Sequence, residues 1–144
     1  MNSVIISKAG GPEVLEYKEL KLEEPKADEV TIKNHAIGLN YIDTYHRSGL
    51  YPLTLPSPIG LEGAGEITKV GSDVKNFKVG DKVAYCAAPL GAYSTHRNYP
   101  TKNLVKVPDG VDLETAATLM TKGITTFYLL HKTYTVKSGE DILF

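Results

Sequence analysis

The sequence predicts a mainly β fold with a few helices. Three observations carry that expectation. Short runs with strand-like patterning recur through the first two thirds of the chain, divided by Gly, Pro and Asp turns. That spacing suits a compact antiparallel barrel or sandwich. The 13 glycines and 8 prolines are spread along the chain, which fits many short strands better than a helical bundle. After Pro108-Asp109-Gly110 the apolar pattern changes to the period of a helix.

In chain order, residues 3–7 (SVIIS) form a short apolar strand candidate closed by Gly10-Gly11-Pro12. Residues 14–22 alternate, but Leu15 and Tyr17 share one phase while Leu20 and Leu22 share the other. Such a switch implies a bulge or break near Lys18. Residues 23–28 are a polar turn, and residues 29–37 a strand with Val30 and Ile32 on one face. A short helix follows over 40–49. Asn40 is a good N-cap, Asp43 three residues on makes a capping-box-like pair, and Gly49 is a natural stop. Tyr41 and Tyr45, four apart, share a face of it. Donor and acceptor side chains stand here in a row, a plausible wall for a polar ligand. Local chemistry alone favours capping and packing.

Residues 50–58 hold three prolines and read as an extended surface loop. In Gly60-Leu61-Glu62-Gly63-Ala64-Gly65, the glycines allow a close backbone approach or a sharp turn, and Glu62 is the only charge. Further strand candidates are 66–70, 82–87, 92–99 and 103–107. Asp112 then caps a helix whose apolar positions Leu113, Ala116, Ala117 and Met120 fit i, i+3, i+4, i+7. A second helix is expected over 122–134, apolar all round and so requiring burial on more than one side. After a linker, Ile142-Leu143-Phe144 reads as the start of a buried strand. Three apolar residues cannot complete a sheet, so the sequence reads as the front part of a larger protein.

The chain has 144 residues, one ordinary domain in length, and a net charge of -1 from 16 basic and 17 acidic residues. No electrostatic footprint for nucleic acid or an anionic membrane is present. The single cysteine, Cys86, excludes an intrachain disulfide, and a cytoplasmic location is expected. The four histidines, at 35, 46, 96 and 131, show no paired ligand spacing, so no metal site is expected.

GGPEVL, AIGLNYIDTYHRSGLYP, GLEGAGEITKVG, VKNFKVGDKVAY, LGAYSTH and LMTKGITTFYLL, in order along the chain, resemble the medium-chain dehydrogenase/reductase superfamily. Within it they are most similar to the zinc-free, NADPH-dependent quinone oxidoreductases related to zeta-crystallin. The resemblance implies a GroES-like, partly open barrel as the catalytic domain over 1–120. Residues 121–144 would then be a bridging helix and the first strand of a Rossmann-type nucleotide-binding domain. Zinc-dependent relatives carry a cysteine ligand where Asn40 stands and a histidine where Leu61 stands, so the resemblance also implies no zinc. No Gly-x-Gly-x-x-Gly follows a strand in this sequence, so most of the NADPH site is expected beyond residue 144.

By resemblance, Asn40, Tyr41, Ile42, Asp43, Thr44 and Tyr45 line the nicotinamide and ribose end of a cleft. Thr125 and Tyr128, three apart on one helix face, resemble further cofactor contacts. Tyr45 is the expected catalytic donor to the quinone oxygen, because a phenol stays protonated at neutral pH; the competing role is packing against Tyr41. Arg47 either steers an anionic cofactor or sits in solvent, as does Lys122. Cys86 is expected as a small core residue and Glu62 as a buried structural carboxylate. The substrate implied is a small quinone or, alternatively, an enone or 2-alkenal, with no nucleic-acid or membrane partner and a homodimeric full-length form. A non-catalytic, stand-alone GroES-like module is the reading from another class. The 144 residues alone are expected to be inactive.

Overall fold

The structure is a computed structural model that describes residues 1–143. Strands dominate, in two antiparallel sheets that do not close on one another. In the smaller sheet, β1 (Asn2–Ile6) lies between β2 (Glu16–Glu19) and β4 (Ser57–Pro58). The larger sheet comprises β3 (Glu29–Gly38), β5 (Glu62–Val70), β6 (Lys82–Tyr85), β7 (His96–Pro100) and β8 (Val105–Lys106), in the order β7-β3-β5-β6-β8. The segment leading into β7 joins the two: the Val4 N–H donates to the Tyr93 carbonyl at 2.8 Å, and Ser3 bridges Ser94.

Alternation explains the main core. Val30 and Ile32 of β3 face inward together, as their spacing predicts, and meet Ile67, Val83, Tyr85 and Tyr99. Arg97 of β7 is buried with them at 5% exposure. Its guanidinium lies 4.8 Å and 4.6 Å from the ring centres of Tyr85 and Tyr99 and donates to the carbonyls of Pro89 and Leu90. Carbonyls and ring faces take the place of a carboxylate partner.

α1 (Tyr41–Ser48) and α2 (Leu113–Tyr128) are the two α-helices of the described residues. Asp112 caps α2 as predicted, accepting from the Thr115 N–H at 2.6 Å. Ala116 and Ala117 pack α2 onto Ala64 of β5 and Ala84 of β6; such small side chains bring helix and sheet close.

Several expectations are corrected. The two helices predicted over 112–120 and 122–134 are one helix to Tyr128, followed by a π-turn over Leu129–Thr133. Gly123 does not break it, since an interior glycine costs only about 1 kcal/mol. Of the bulge or break expected near Lys18, the structure has no bulge, since β2 pairs with β1 unbroken from Glu16 to Glu19, and the strand ends there, one residue past Lys18. Tyr17 on this edge strand and Leu15 just before it are exposed, so burial does not enforce one phase there. The Gly-rich run is strand from Glu62 onward, paired with β3 and β6 on both edges, and of the two roles its glycines allow Gly65 takes the close approach, since a Cβ there would press into the Lys33 carbonyl. Residues 141–143 carry no strand; Phe144, the last residue of the expected strand, lies outside the described residues.

Ile67 is fully buried at the centre of the main core. Ile67→Ala is expected to lower stability by about 2–5 kcal/mol in urea denaturation of the chain. A loss below about 1 kcal/mol would show a site able to collapse around the deletion.

Candidate active site

The site grows from one end of the β3–β5 ladder. Gly38, the last residue of β3, pairs with Glu62, the first of β5. Two residues later Asn40 turns extended, with φ -126° and ψ 152°, and begins α1. The expected capping box is present. The Asn40 N–H donates to Asp43 Oδ2 at 3.0 Å, which satisfies a donor the helix itself leaves open. Gly49, left-handed at φ 83°, ends α1.

Asp43 does more than cap. Its Oδ2 also accepts from the Tyr93 hydroxyl at 2.8 Å, which ties α1 to the segment joining the two sheets. Burial, and then the hydrogen bond and charge of Asp43, push the Tyr93 phenol well above the usual tyrosine range. Arg47 does not simply end in solvent. Its Nε donates to the Gly10 carbonyl at 3.3 Å, and the Gly10 N–H returns a bond to the Arg47 carbonyl at 3.0 Å. Arg47 therefore latches the early glycine turn onto α1.

Glu62 is fully buried beside the N-terminus of α1. Its Oε2 accepts from Asn40 Nδ2 at 2.7 Å, and its Oε1 from the Thr121 N–H of α2 at 2.8 Å. Lys122, the next residue on α2, places Nζ 3.3 Å from Asn40 Oδ1 and 3.9 Å from Glu62 Oε2. Lys122 thus reaches back into the site rather than ending free in solvent. Gly38 makes room for this cluster. A Cβ there would lie 2.5 Å from Glu62 Oε2 and press into the Ala117 carbonyl.

The residues singled out in the sequence divide into groups. Asn40 and Asp43 are buried and polar-bonded. Tyr41 is exposed, while Ile42, Thr44 and Tyr45 are half-buried. The Tyr45 ring packs between Tyr41, at 6.0 Å, and Tyr51, at 5.4 Å. Its hydroxyl has no hydrogen-bond partner among the described residues, so packing and a free donor coexist in one side chain. The Thr44 hydroxyl donates to the Tyr41 carbonyl, and that of Thr125 to the Thr121 carbonyl, each at 2.7 Å. Thr125 and Tyr128 are exposed on α2, and no hydrogen bond joins them to α1 among the described residues.

One partner escaped the sequence reading. Tyr93 gave no local signal, because its contact spans fifty residues of chain. Glu62 is the buried structural carboxylate expected of it; its bridging of two helices was not legible. Among the described residues, no group of three or more His, Cys, Asp or Glu is placed to hold a metal ion. Burial first, and then the Glu62 charge, push the half-buried Cys86 thiol up, which favours the inert thiol.

The Tyr93–Asp43 bond has a pH signature. A phenol whose folded pKa is raised contributes stability that is fully present below about pH 10 and is lost as pH rises through the folded value. Tyr93→Phe is therefore expected to flatten the alkaline end of the stability–pH curve and to delete one late-ionising phenol from the ultraviolet titration. Loss of the phenol from the ordinary tyrosine range instead would show that Tyr93 ionises with the other tyrosines.

The chain is similar to several known proteins. A quinone oxidoreductase of Pseudomonas aeruginosa is 58% identical over 94% of this chain and 42% of its own length. A 2-haloacrylate reductase of Burkholderia is 44% identical over 98% of this chain and 44% of its own length. The crystal structure of Escherichia coli quinone oxidoreductase complexed with NADPH superposes with a TM-score of 0.95 at 45% identity. That match covers 97% of this chain and 43% of the other. The chain thus spans about two fifths of the length of these relatives. Residues 26–109, more than half of the chain, match the alcohol dehydrogenase GroES-like domain. On that match, joined to the two-sheet fold and the site at the end of its β3–β5 ladder, the chain belongs to the alcohol dehydrogenase GroES-like domain family.

Proposed function

We propose that this chain is the N-terminal catalytic domain of an NADPH-dependent quinone oxidoreductase that works without zinc. The observation that carries the reading is the Lys122 ammonium held at Asn40 at the end of the β3–β5 ladder; Tyr45, farther along α1, adds a hydroxyl with no partner among the described residues. The quinone oxidoreductase relatives support it. Such donors suit a reduction in which negative charge develops on oxygen.

In this reading residues 1–120 are the catalytic domain and residues 121–144 the bridge to a nucleotide-binding domain. The fit to a dinucleotide rests on polar groups left facing outward. Asn40 through Tyr45 would take its nicotinamide and ribose end, and Thr125 and Tyr128 would flank it from α2. Bound NADPH would supply the hydride. Tyr45 donates a hydrogen bond to the quinone oxygen as charge grows there. Asp43 holds α1 against Tyr93, so the donor keeps its place. Asn40 occupies a buried, hydrogen-bonded position suited to orientation rather than proton transfer.

The second reading keeps the site and changes the acceptor to an enone or a 2-haloacrylate, which the Burkholderia relative favours. A chimera separates the two: residues 1–144 joined to the remainder of the Pseudomonas aeruginosa relative, assayed with NADPH against quinones, enones and 2-haloacrylates. Quinone turnover is expected. Turnover of the other acceptors alone would replace the first reading with the second, and no turnover with any acceptor would favour a non-catalytic module. In the chimera, Tyr45→Phe is expected to lower kcat on the order of 100-fold with NADPH affinity nearly unchanged. A wild-type rate would return Tyr45 to packing.

Zinc independence is tested on the purified chain and chimera by elemental analysis. Zinc well below one equivalent, with activity unaffected by chelator, is the expected result. One tightly held zinc per chain would refute the metal-free reading.

A further inference from the structure

We propose that Glu62 is the positioning residue of this site: one carboxylate oxygen holds Asn40 of the α1 cap, the other holds the Thr121 N–H of α2, and together they fix where the Lys122 ammonium stands. The bearing on cofactor rests on the quinone oxidoreductase reading; the positioning itself does not.

Three observations lead there. First, Glu62 is fully buried, and its two oxygens serve different elements, with bonds of 2.7 Å to Asn40 and 2.8 Å to Thr121. A carboxylate whose only task was to satisfy its own strand would not need to bridge two helices. Second, the bridge sets the flip of the Asn40 amide. An acceptor-only carboxylate requires the NH2 group to face it, so Oδ1 faces the other way, and there Lys122 Nζ stands at 3.3 Å. Third, the close approach is built into the backbone, since Gly38 has no space for a Cβ between Glu62 and the Ala117 carbonyl. The anchored ammonium has three donors and its side chain is still 58% exposed. It is therefore fixed on the inner side and open on the outer side. In the enzyme reading, that open side would be available to the polar nicotinamide end of the cofactor.

The test has a structural and a kinetic arm. In nitrogen–proton NMR of residues 1–144, Glu62→Gln is expected to shift the Thr121 amide and the Asn40 side-chain amide and to speed their hydrogen exchange, with the amides of β7 unmoved. Unshifted resonances for both groups would overturn the proposal. In the chimera, Glu62→Gln is expected to raise the KM for NADPH about tenfold, the equivalent of about 1.4 kcal/mol, with a smaller change in kcat. Lost stability with an unchanged KM would reduce Glu62 to a structural group and overturn it as well. Should Glu62→Gln fail to fold, Lys122→Met replaces it. That variant keeps both Glu62 hydrogen bonds, so the Thr121 amide should stay protected while the KM for NADPH rises; an unchanged KM overturns the proposal. A chimera inactive even with the wild-type sequence would sink the enzyme reading and leave the NMR arm to decide on positioning.

Discussion

The site depends on the last rung of the β3–β5 ladder, where Gly38 pairs with Glu62. That pairing delivers both halves of the cluster. One strand continues through Leu39 into the cap of α1, and the other starts with the carboxylate that receives it. Strand side chains alternate with period two, so a slip of one residue would turn Glu62 away from Asn40 and bring a glycine in its place. Buried alternation upstream prevents the slip. Val30 and Ile32 on β3 and Ile67 on β5 can reach the core in one register only. Register shifts between Thr31 and Ile32, and between Asn34 and Ala36, mark irregular pairing within that ladder.

From this rung the electrostatics follow. A buried carboxylate is costly unless hydrogen-bonded and paired. Glu62 meets the condition with donors from two helices and an ammonium nearby. Asp43 meets it at Oδ2 alone, which accepts a backbone N–H and a phenol, while its buried Oδ1 has no partner among the described residues. Each acid thus ties α1 to a different part of the fold, Glu62 to α2 and Asp43 to the joint between the sheets. Hydrogen bonds to charged groups contribute about 1.5–3 kcal/mol each, enough for two acids to hold a helix of eight residues that could not stand alone in water.

Much of this was legible in the sequence where the signal is local. The cap at Asn40 and Asp43, the stop at Gly49, the cap at Asp112 and the inward pair Val30 and Ile32 each rest on spacings of a few residues. The mainly β class was legible from the turns. What escaped was set by tertiary contact. The single helix Leu113–Tyr128 reads as two because its amphipathic stripe gives way near Thr121 to a stretch that is apolar all round. β2 was assigned a bulge or break because its edge position, with both faces accessible, could not be seen. Tyr93, Arg97 and Thr121 take their roles from partners distant in the chain or from burial, and no periodicity reports either. Lys122 looked like an ordinary surface lysine because nothing near it in sequence says that a buried acid stands within reach.

Gly38 has a consequence for redesign. The gap between sheet and helix at the site is gauged by an absent side chain, since any Cβ there would meet the Ala117 carbonyl. The site therefore cannot be narrowed or reshaped from the β3 side by substitution; even alanine would act as a wedge, lifting α2 and parting Glu62 from Thr121. Redesign of this site should leave position 38 untouched and vary the outward faces instead, around Tyr41 on one helix and Thr125 on the other, where side chains are exposed.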